Sequence, residues 1–286
     1  IDLGTSGVRG SAIDTLGNEL ATARTALPRI QQPSDWQHAA FDVIRQLCDQ
    51  LESGLIQSVA IDGTSGTVML CDDSGEPCSP ALMYYDQSCT DEAEAINHHA
   101  PEDSAARGAS SSLAKALYLL KNHDHAAHIC HQADWIAGQL CGHFDISDEN
   151  NCLKLGYDPV KREWPKWLTG LGIDSTLLPR TYAPGTTIAP VDKSIAQQLG
   201  MPAHCRLVAG TTDSIAAFIA TGACETGEAV TSLGSTLVLK LISDKPVFSS
   251  RLGVYSHRLG DSWLAGGASN SGGKVLLKYF DQASMD

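Results

Sequence analysis

The chain predicts an α/β fold arranged as two lobes, on three observations. Its first 24 residues alternate apolar and polar positions in the manner of a β-meander. Two later runs, Val59-Ala60-Ile61 and Arg206–Ala209, read as short buried strands that end in glycine-hydroxyl turns, Asp62-Gly63-Thr64-Ser65-Gly66 and Gly210-Thr211-Thr212-Asp213-Ser214. From Glu228 the chain opens again as it began, with strands around a small-residue turn. That echo suggests a duplicated architecture with a cleft between the lobes, although no sequence-level repeat accompanies it.

Each element follows from local pattern. Ile1–Leu3 is strand, Gly4–Gly7 is turn, and Val8–Ile13 alternates as a second strand. The Asp14-Thr15-Leu16-Gly17-Asn18 turn leads into a third, Glu19–Arg24. Trp36–Leu51 carries Ala40, Val43, Ile44, Leu47 and Leu51 at helical spacing after a Ser34-Asp35 start signal. Val68–Cys71 is strand and Asp72–Gly75 a hairpin-type turn; Ser111–Lys121 and Ala133–Cys141 are helical. Residues 142–190 are polar and turn-rich, with five prolines. Ile195–Leu199 is a short helix, and a further helix at Ile215–Ala220 starts near Asp213 and is closed by Gly222. Glu228–Leu233 and Leu237–Ile242 are strands joined by Gly234-Ser235-Thr236, and Gly253–Arg258 with Ser262–Leu264 continue the β-rich segment into a Gly266–Asn270 turn. Lys274–Phe280 looks helical.

Composition narrows the function classes. The 286 residues suit two domains or one large one, and 43% hydrophobic with 19% charged residues is ordinary for a globular protein. No run of about 18 apolar residues exists, so no membrane span is expected. No basic-then-apolar leader opens the chain, although it begins inside a strand and both ends read as cut. The net charge of −13, without a Lys/Arg cluster, argues against nucleic acid. An anionic nucleotide would then need a divalent cation and backbone dipoles. Nine scattered cysteines with no CxxC pair fit a reducing, cytoplasmic setting. His125, His128, Cys130 and His131 come closest to a metal cluster, but read as a helix end with solvated histidines. The residues carry no signal of oligomeric state.

The chemistry gathers at the turns. Gly4, Thr5 and Ser6 in the first, and Gly234, Ser235 and Thr236 in the last, offer the small residues, free N–H groups and hydroxyls that a polyphosphate needs. Singly, each hydroxyl reads as an ordinary strand end. Asp2 is either a turn aspartate or a carboxylate holding hydrated Mg²⁺. Asp213 is either a helix N-cap or a base facing the cleft, as phosphoryl transfer to a hydroxyl requires. The Asp62–Thr67 stretch is either a β-turn or a polyol-binding loop. Lys115 reads as a solvated helix lysine, and Leu117, Tyr118 and Leu120 as core.

Together these stretches resemble the FGGY carbohydrate kinase family, which belongs to the actin-like ATPase superfamily with its two ribonuclease-H-like lobes. Ile1–Gly7 is similar to the family's first phosphate motif, Gly210–Asp213 with the following helix to its catalytic-aspartate segment, and Thr231–Thr236 to its second phosphate motif. Ser110–Asn122 resembles its first signature, with Ala116 where a larger apolar residue is usual and Tyr118 where Trp is usual. Ala60–Thr67, Gln132–Trp135, Leu153–Tyr157, Ala209–Ala217, Glu228–Leu241 and Gly266–Asn270 look closest to the D-ribulokinase-like, also xylulokinase-like, group of plants and cyanobacteria. Bacterial xylulokinases carry a Gln-Met-His-Gly-like loop in place of Asp62–Gly66, and a Trp-Asn-Asp-Gly-Arg-like segment near Tyr84–Gln87.

The resemblance implies ATP-dependent, Mg²⁺-dependent phosphorylation of a ketopentose, D-ribulose before D-xylulose, at the 5-position. Asp213 would be the base; Asp2, Ser65, Asp213 and Ser214 would bind the sugar; Gly4, Thr5, Ser6, Gly234, Ser235 and Thr236 would contact ATP; and Asp2 would hold Mg²⁺ through water. Residues 1–220 would form the sugar lobe and residues 221–286 the truncated start of the nucleotide lobe. The alternatives are xylulokinase or another polyol kinase, and a non-catalytic sugar sensor on the same scaffold. Retention of Asp2, Asp213 and both turns argues against the sensor. A chaperone or actin-like ATPase fits less well, since the chain has a sugar loop and no peptide-binding module.

Overall fold

A computed structural model describes residues 1–52, 54–233, 237–269 and 279–280. β1 (Asp2–Leu3), β2 (Gly7–Ile13) and β3 (Glu19–Ala26) form the expected antiparallel meander, with Leu3 opposite Val8 and Gly7 opposite Ala26. The amphipathic α1 (Pro33–Gln50) then buries Trp36, Ala40, Val43, Ile44 and Leu47 in the main core beneath the meander. It begins at Pro33, whose fixed φ suits the first helical position, and not at the Ser34-Asp35 signal. Asp35 instead lies inside the first turn and accepts two hydrogen bonds of 2.8 Å from Arg29. The expected strand at Val59–Ile61 is split into β4 (Ser58–Val59) and β5 (Asp62–Gly63). β5 runs parallel to β1, with Asp2 beside Asp62.

The next segment builds a second core. β6 (Val68–Cys71), α2 (Thr90–His99), α3 (Ser112–Leu120) and β7 (His128–His131) pack around Leu70, Ile96, Leu113, Leu119 and Ile129, while α4 (Gln132–Cys141) turns Ala133, Trp135, Ile136 and Leu140 into the main core. Two expectations fail here. The His128–His131 stretch is a strand paired antiparallel to β6, and His131 is fully buried, held between Asp134 (Nδ1–Oδ2 2.7 Å) and Ser112 (Nε2–Oγ 3.1 Å). Lys115 is not solvated but fully buried, because α3 turns that side toward the β5–β6 loop.

Residues 142–190 are less superficial than their polarity suggests. β8 (Ile146–Asp148) and α5 (Glu149–Cys152) are buried: Asp148 Oδ1 accepts from the backbone N–H groups of Asn150 and Asn151, and the Asn150 amide donates to Thr211 Oγ1 and the Arg258 carbonyl. β9 (Arg180–Tyr182) lies parallel to β8. β10 (Thr187–Pro190), α6 (Lys193–Leu199) and β11 (Arg206–Val208) follow, with the sheet order β10-β11-β4.

β12 (Thr211–Thr212) returns to the first sheet, parallel to β5, with Thr211 beside Asp62. The order β12-β5-β1-β2-β3 is thereby complete, a meander extended by two parallel strands. Gly210 makes the junction possible. A Cβ there would stand 1.8 Å from the Ile61 carbonyl oxygen, so only glycine lets the two backbones approach. α7 (Asp213–Ile219) leaves β12 directly.

β13 (Ala229–Leu233), β14 (Leu237–Ser243), β15 (Tyr255–Leu259) and β16 (Ser262–Ser269) form an antiparallel sheet ordered β13-β14-β16-β15. α7 packs Ile215 and Phe218 with Ile242 and Leu264 of this sheet. The Gly266–Asn270 turn is not a turn as far as Ser269: Gly266 and Gly267 are paired within β16 to Lys240 and Leu239. Gly234, Ser235, Thr236, Asn270 and residues 274–278 of the expected last helix lie outside the described residues. Among the described residues no helix is long and apolar enough to cross a membrane.

Candidate active site

Three parallel strands, β1, β5 and β12, end side by side and point their loops the same way. Open sheets of this kind place ligands at the carboxyl ends of their strands. β1 leads into Gly4-Thr5-Ser6, β5 into Thr64-Ser65-Gly66, and β12 into Asp213-Ser214. The residues expected for phosphate, sugar and base thus converge although 211 positions separate Asp2 from Asp213 in numbering. The first turn is tight: the Gly4 N–H donates to the Gly7 carbonyl at 3.1 Å, and a Cβ on Gly4 would meet that oxygen at 3.2 Å. Thr5 and Ser65 are half-buried, Ser6 and Ser214 exposed. A cavity of about 720 Å³ opens beside Asp2 and Asp62 but runs back along Arg9, Ser11, Thr22 and Arg24, and neither Ser65 nor Asp213 lines it. The strand ends, not that cavity, define the candidate site.

Charge is concentrated here. Burial pushes the Asp62 carboxyl up to about 7, and the Asp2 and Asp213 carboxylates reinforce the rise. Asp213 is also raised, first by burial. The Ser214 N–H, which donates to its Oδ1 at 2.6 Å, pulls it back, as do the charges of Lys154 and Lys240, while Asp2 adds to the rise. Lys240 on β14 donates to the Ser214 carbonyl, and burial brings its ammonium down to about 8 against the pull of Asp213. Beneath them His257 is pushed down to about 3 by burial and by both lysines, which keeps its ring neutral.

The sugar-side loop is fixed from behind. Gln132 Oε1 accepts from Thr64 N (3.2 Å) and Thr64 Oγ1 (2.8 Å); Thr64 Oγ1 and Thr67 Oγ1 lie 2.6 Å apart; and Thr67 Oγ1 accepts from Tyr84 N at 3.0 Å. Lys115 Nζ donates to the Gly66 carbonyl at 2.8 Å and the Met83 carbonyl at 2.6 Å. It thereby ties the loop after β5 to the Tyr84–Gln87 segment. Burial lowers its ammonium to about 8, with Asp86 opposing and Lys154 adding to the fall.

The donors fit a divalent ion that arrives with a nucleotide. Asp62 Oδ1 and Thr212 Oγ1 are buried without a partner, and the carboxylates supply hard oxygen ligands. Among the described residues no group of three or more His, Cys, Asp or Glu side chains forms a dedicated cage. Mg²⁺ is characteristically held by one or two carboxylates, waters and phosphates, which suits this arrangement.

The family model for the N-terminal domain of the FGGY family of carbohydrate kinases matches residues 1–220. The chain belongs to that family. It is 22% identical to the xylulose kinase of Staphylococcus epidermidis over 313 aligned residues, covering 100% of this chain and 62% of that protein. It is 24% identical to the xylulose kinase of Escherichia coli, covering 92% and 58%. The ligand-bound xylulose kinase of Lactobacillus acidophilus superposes with a TM-score of 0.86 at 18% identity, covering 98% of this chain and 61% of that one. The fold is therefore the two-lobed, actin-like one of these kinases, and the chain spans about three fifths of their length.

The structure sets Asp2, Gly4, Thr5, Ser6, Ser65, Asp213 and Ser214, which the sequence singled out, at neighbouring strand ends, while Gly234, Ser235 and Thr236 lie outside the described residues. Sequence reading missed Lys154, Lys240, His257 and the buried role of Lys115. One signal existed for Lys240: it shares strand parity with the buried Ile242, on the face opposite exposed Leu239 and Leu241.

Proposed function

We propose that this chain carries the sugar site and the phosphate-receiving edge of a cytosolic, ATP-dependent ketopentose kinase that prefers D-ribulose and yields D-ribulose 5-phosphate. The observation that supports it is the convergence of the Gly4–Ser6 turn, the Ser65 loop and Asp213 on adjacent strand ends. In this reading residues 1–220 form the sugar lobe, residues 221–286 open the nucleotide lobe, and Thr221–Cys224 are the hinge.

Ser65 and Ser214 hold sugar hydroxyls, and Asp2 orients the sugar and holds hydrated metal. Asp213 takes the proton from the accepting hydroxyl, a role suited to a carboxylate that burial makes more basic than usual while two lysines favour its charged form. Backbone N–H groups at Thr5 and Ser6 donate to phosphate oxygens, Gly4 lets the phosphate approach the turn closely, and Gly234, Ser235 and Thr236 contact it from the other lobe. When bound, Mg²⁺ neutralises phosphate charge. Closure of the lobes excludes water, which would otherwise compete as acceptor.

The preference for ribulose rests on the Asp62–Gly66 loop, which departs from the Gln-Met-His-Gly-like loop of bacterial xylulokinases. D-xylulose is the second reading, favoured by the names of the relatives. A panel of ketopentoses and polyols with coupled ADP detection on the intact protein separates them. The expected result is a kcat/KM at least tenfold higher for D-ribulose than for D-xylulose. The reverse order would transfer the assignment to xylulose, and sugar-independent ATP hydrolysis would remove the kinase reading.

A further inference from the structure

Two lysines bear on Asp213 from different elements, a short helical turn and a strand, and among the described residues neither is matched to a carboxylate of its own. Lys154 follows α5 in the first lobe; Lys240 lies on β14 in the second. Among the described residues, no carboxylate oxygen within 4.0 Å of a cation is paired with either of them. Lys240 Nζ donates to the Ser214 carbonyl, a neutral acceptor next to Asp213. Lys154 runs beside the sugar loop, with Cδ 3.7 Å from where a Cβ on Gly66 would stand, and its ammonium lies 5.9 Å from the Tyr255 ring centre on β15. Both are half-buried, and Gly266 links them: it pairs with Lys240 on one side and on the other with Tyr255, the ring near the Lys154 ammonium.

This pairing needs a reason in a chain of net charge −13. Half-burying an ammonium without a counter-ion costs free energy. A pair serving only to balance Asp2, Asp62 and Asp213 would do so best in direct contact with those carboxylates. Instead Lys240 reaches the Ser214 carbonyl from β14, and Lys154 runs beside the sugar loop, so two separate segments bring positive charge to bear on Asp213. A phosphoryl group, with charged oxygens spread around phosphorus, is the anion that accepts donors from two sides at once.

We propose that Lys154 and Lys240 grip the phosphoryl group as it lands on the sugar hydroxyl, one lysine from each lobe. This rests on the ketopentose kinase reading above. The sugar hydroxyl oxygen bonds to phosphorus, the bond from phosphorus to the bridging oxygen of the nucleoside triphosphate breaks, and the hydroxyl proton passes to Asp213. The lysines transfer nothing; they stabilise charge on the moving group and on the sugar phosphate that results.

The test uses the intact protein and the variants Lys154→Met, Lys240→Met and the charge-keeping Lys154→Arg and Lys240→Arg, with circular dichroism to establish folding. Calorimetric binding of D-ribulose 5-phosphate, free D-ribulose, ADP and inorganic phosphate is measured for each. Each Met variant should bind the sugar phosphate at least tenfold more weakly, with free sugar and ADP within about twofold, and each Arg variant should recover most of the loss. In turnover, each Met variant should lose about 10²–10³ in kcat, the scale of removing one transition-state donor. Sugar phosphate binding unchanged in both Met variants would overturn the proposal. If the parent binds inorganic phosphate but no pentulose phosphate, the kinase reading fails by itself. The lysine site then stands if phosphate binding needs both lysines and falls if it does not. A parent that binds none of these anions overturns it outright.

Discussion

Replacing Lys115 by Met tests whether the candidate sugar loop is held from behind. In the parent, one fully buried ammonium donates to the carbonyls of Gly66 and Met83 at 2.8 and 2.6 Å. Met fills a similar volume but donates nothing. The Met83 carbonyl keeps the Asp86 N–H at 2.9 Å, so only the Gly66 carbonyl is left unpaired, at about 1–3 kcal/mol. Removing a buried cation returns part of this, so the expected net loss in urea unfolding is about 1–2 kcal/mol. Because the two carbonyls belong to different sugar-side segments, the sugar KM of the variant should rise about tenfold with kcat less affected, as lost positioning of bound substrate requires. The pH dependence gives an independent sign. Lys115 titrates at about 8 in the folded protein against 10.5 unfolded, so between these values the unfolded chain binds more protons. Its contribution to stability therefore increases as pH rises through that window, and the Met variant should lack this increase. A variant within about 0.5 kcal/mol of the parent, with the same KM and the same pH profile, would refute the clamp.

Other outcomes follow from the same geometry. Asp213→Asn should keep the fold and sugar binding while losing about 10²–10⁴ in turnover; near-parental kcat would remove Asp213 as base. Since Asp213 is raised above the ordinary carboxylate range, the acidic limb of kcat/KM should fall at higher pH than for an exposed aspartate. Lys240→Met removes a charge that keeps Asp213 ionised, so it should move that limb further up; a limb that moved down would contradict the assignment. Gly210→Ala drives a methyl group to 1.8 Å from the Ile61 carbonyl oxygen and should cost more than about 3 kcal/mol in denaturant unfolding. A loss below about 1 kcal/mol would show that β12 and β5 can separate freely.

Much of the site was legible in the sequence because its parts are local. A strand, a glycine and a hydroxyl in succession announce a strand end wherever they occur, and this located Gly4–Ser6, Ser65 and Asp213. The meander and α1 were legible because alternation at Val8–Ile13 and helical spacing at Ala40–Leu47 each expose one apolar face. What escaped was set by tertiary placement. Lys115 has the sequence context of a surface helix lysine, and only the loop carbonyls above α3 make it a buried donor. Asp148–Asn151 fell in a stretch that read as polar and turn-rich because the partners that help bury them, Thr211 and Arg258 for Asn150, are distant in the chain and leave no trace in composition. Gly266 and Gly267 read as a turn, yet β16 continues through them. There is little room for side chains beside β14, where a Cβ on Gly266 would stand 3.0 Å from the Leu239 carbonyl oxygen.

The way Lys115 and Gln132 hold the β5–β6 loop also fixes when the site can exist during synthesis. Gly66 waits for a donor 49 residues later, Thr64 for an acceptor 68 residues later, and Asp62 for a neighbouring strand at Thr211. Closing such loops is entropically slow and unrewarded until the distant partner arrives. On the ribosome the meander and α1 can condense early, whereas the edge that carries Ser65 and Asp213 is finished only after β12 has emerged. That edge thus depends on pairings between residues far apart in the chain, and translational pausing before Gly210 would leave the Asp62 strand end without its neighbour for longer.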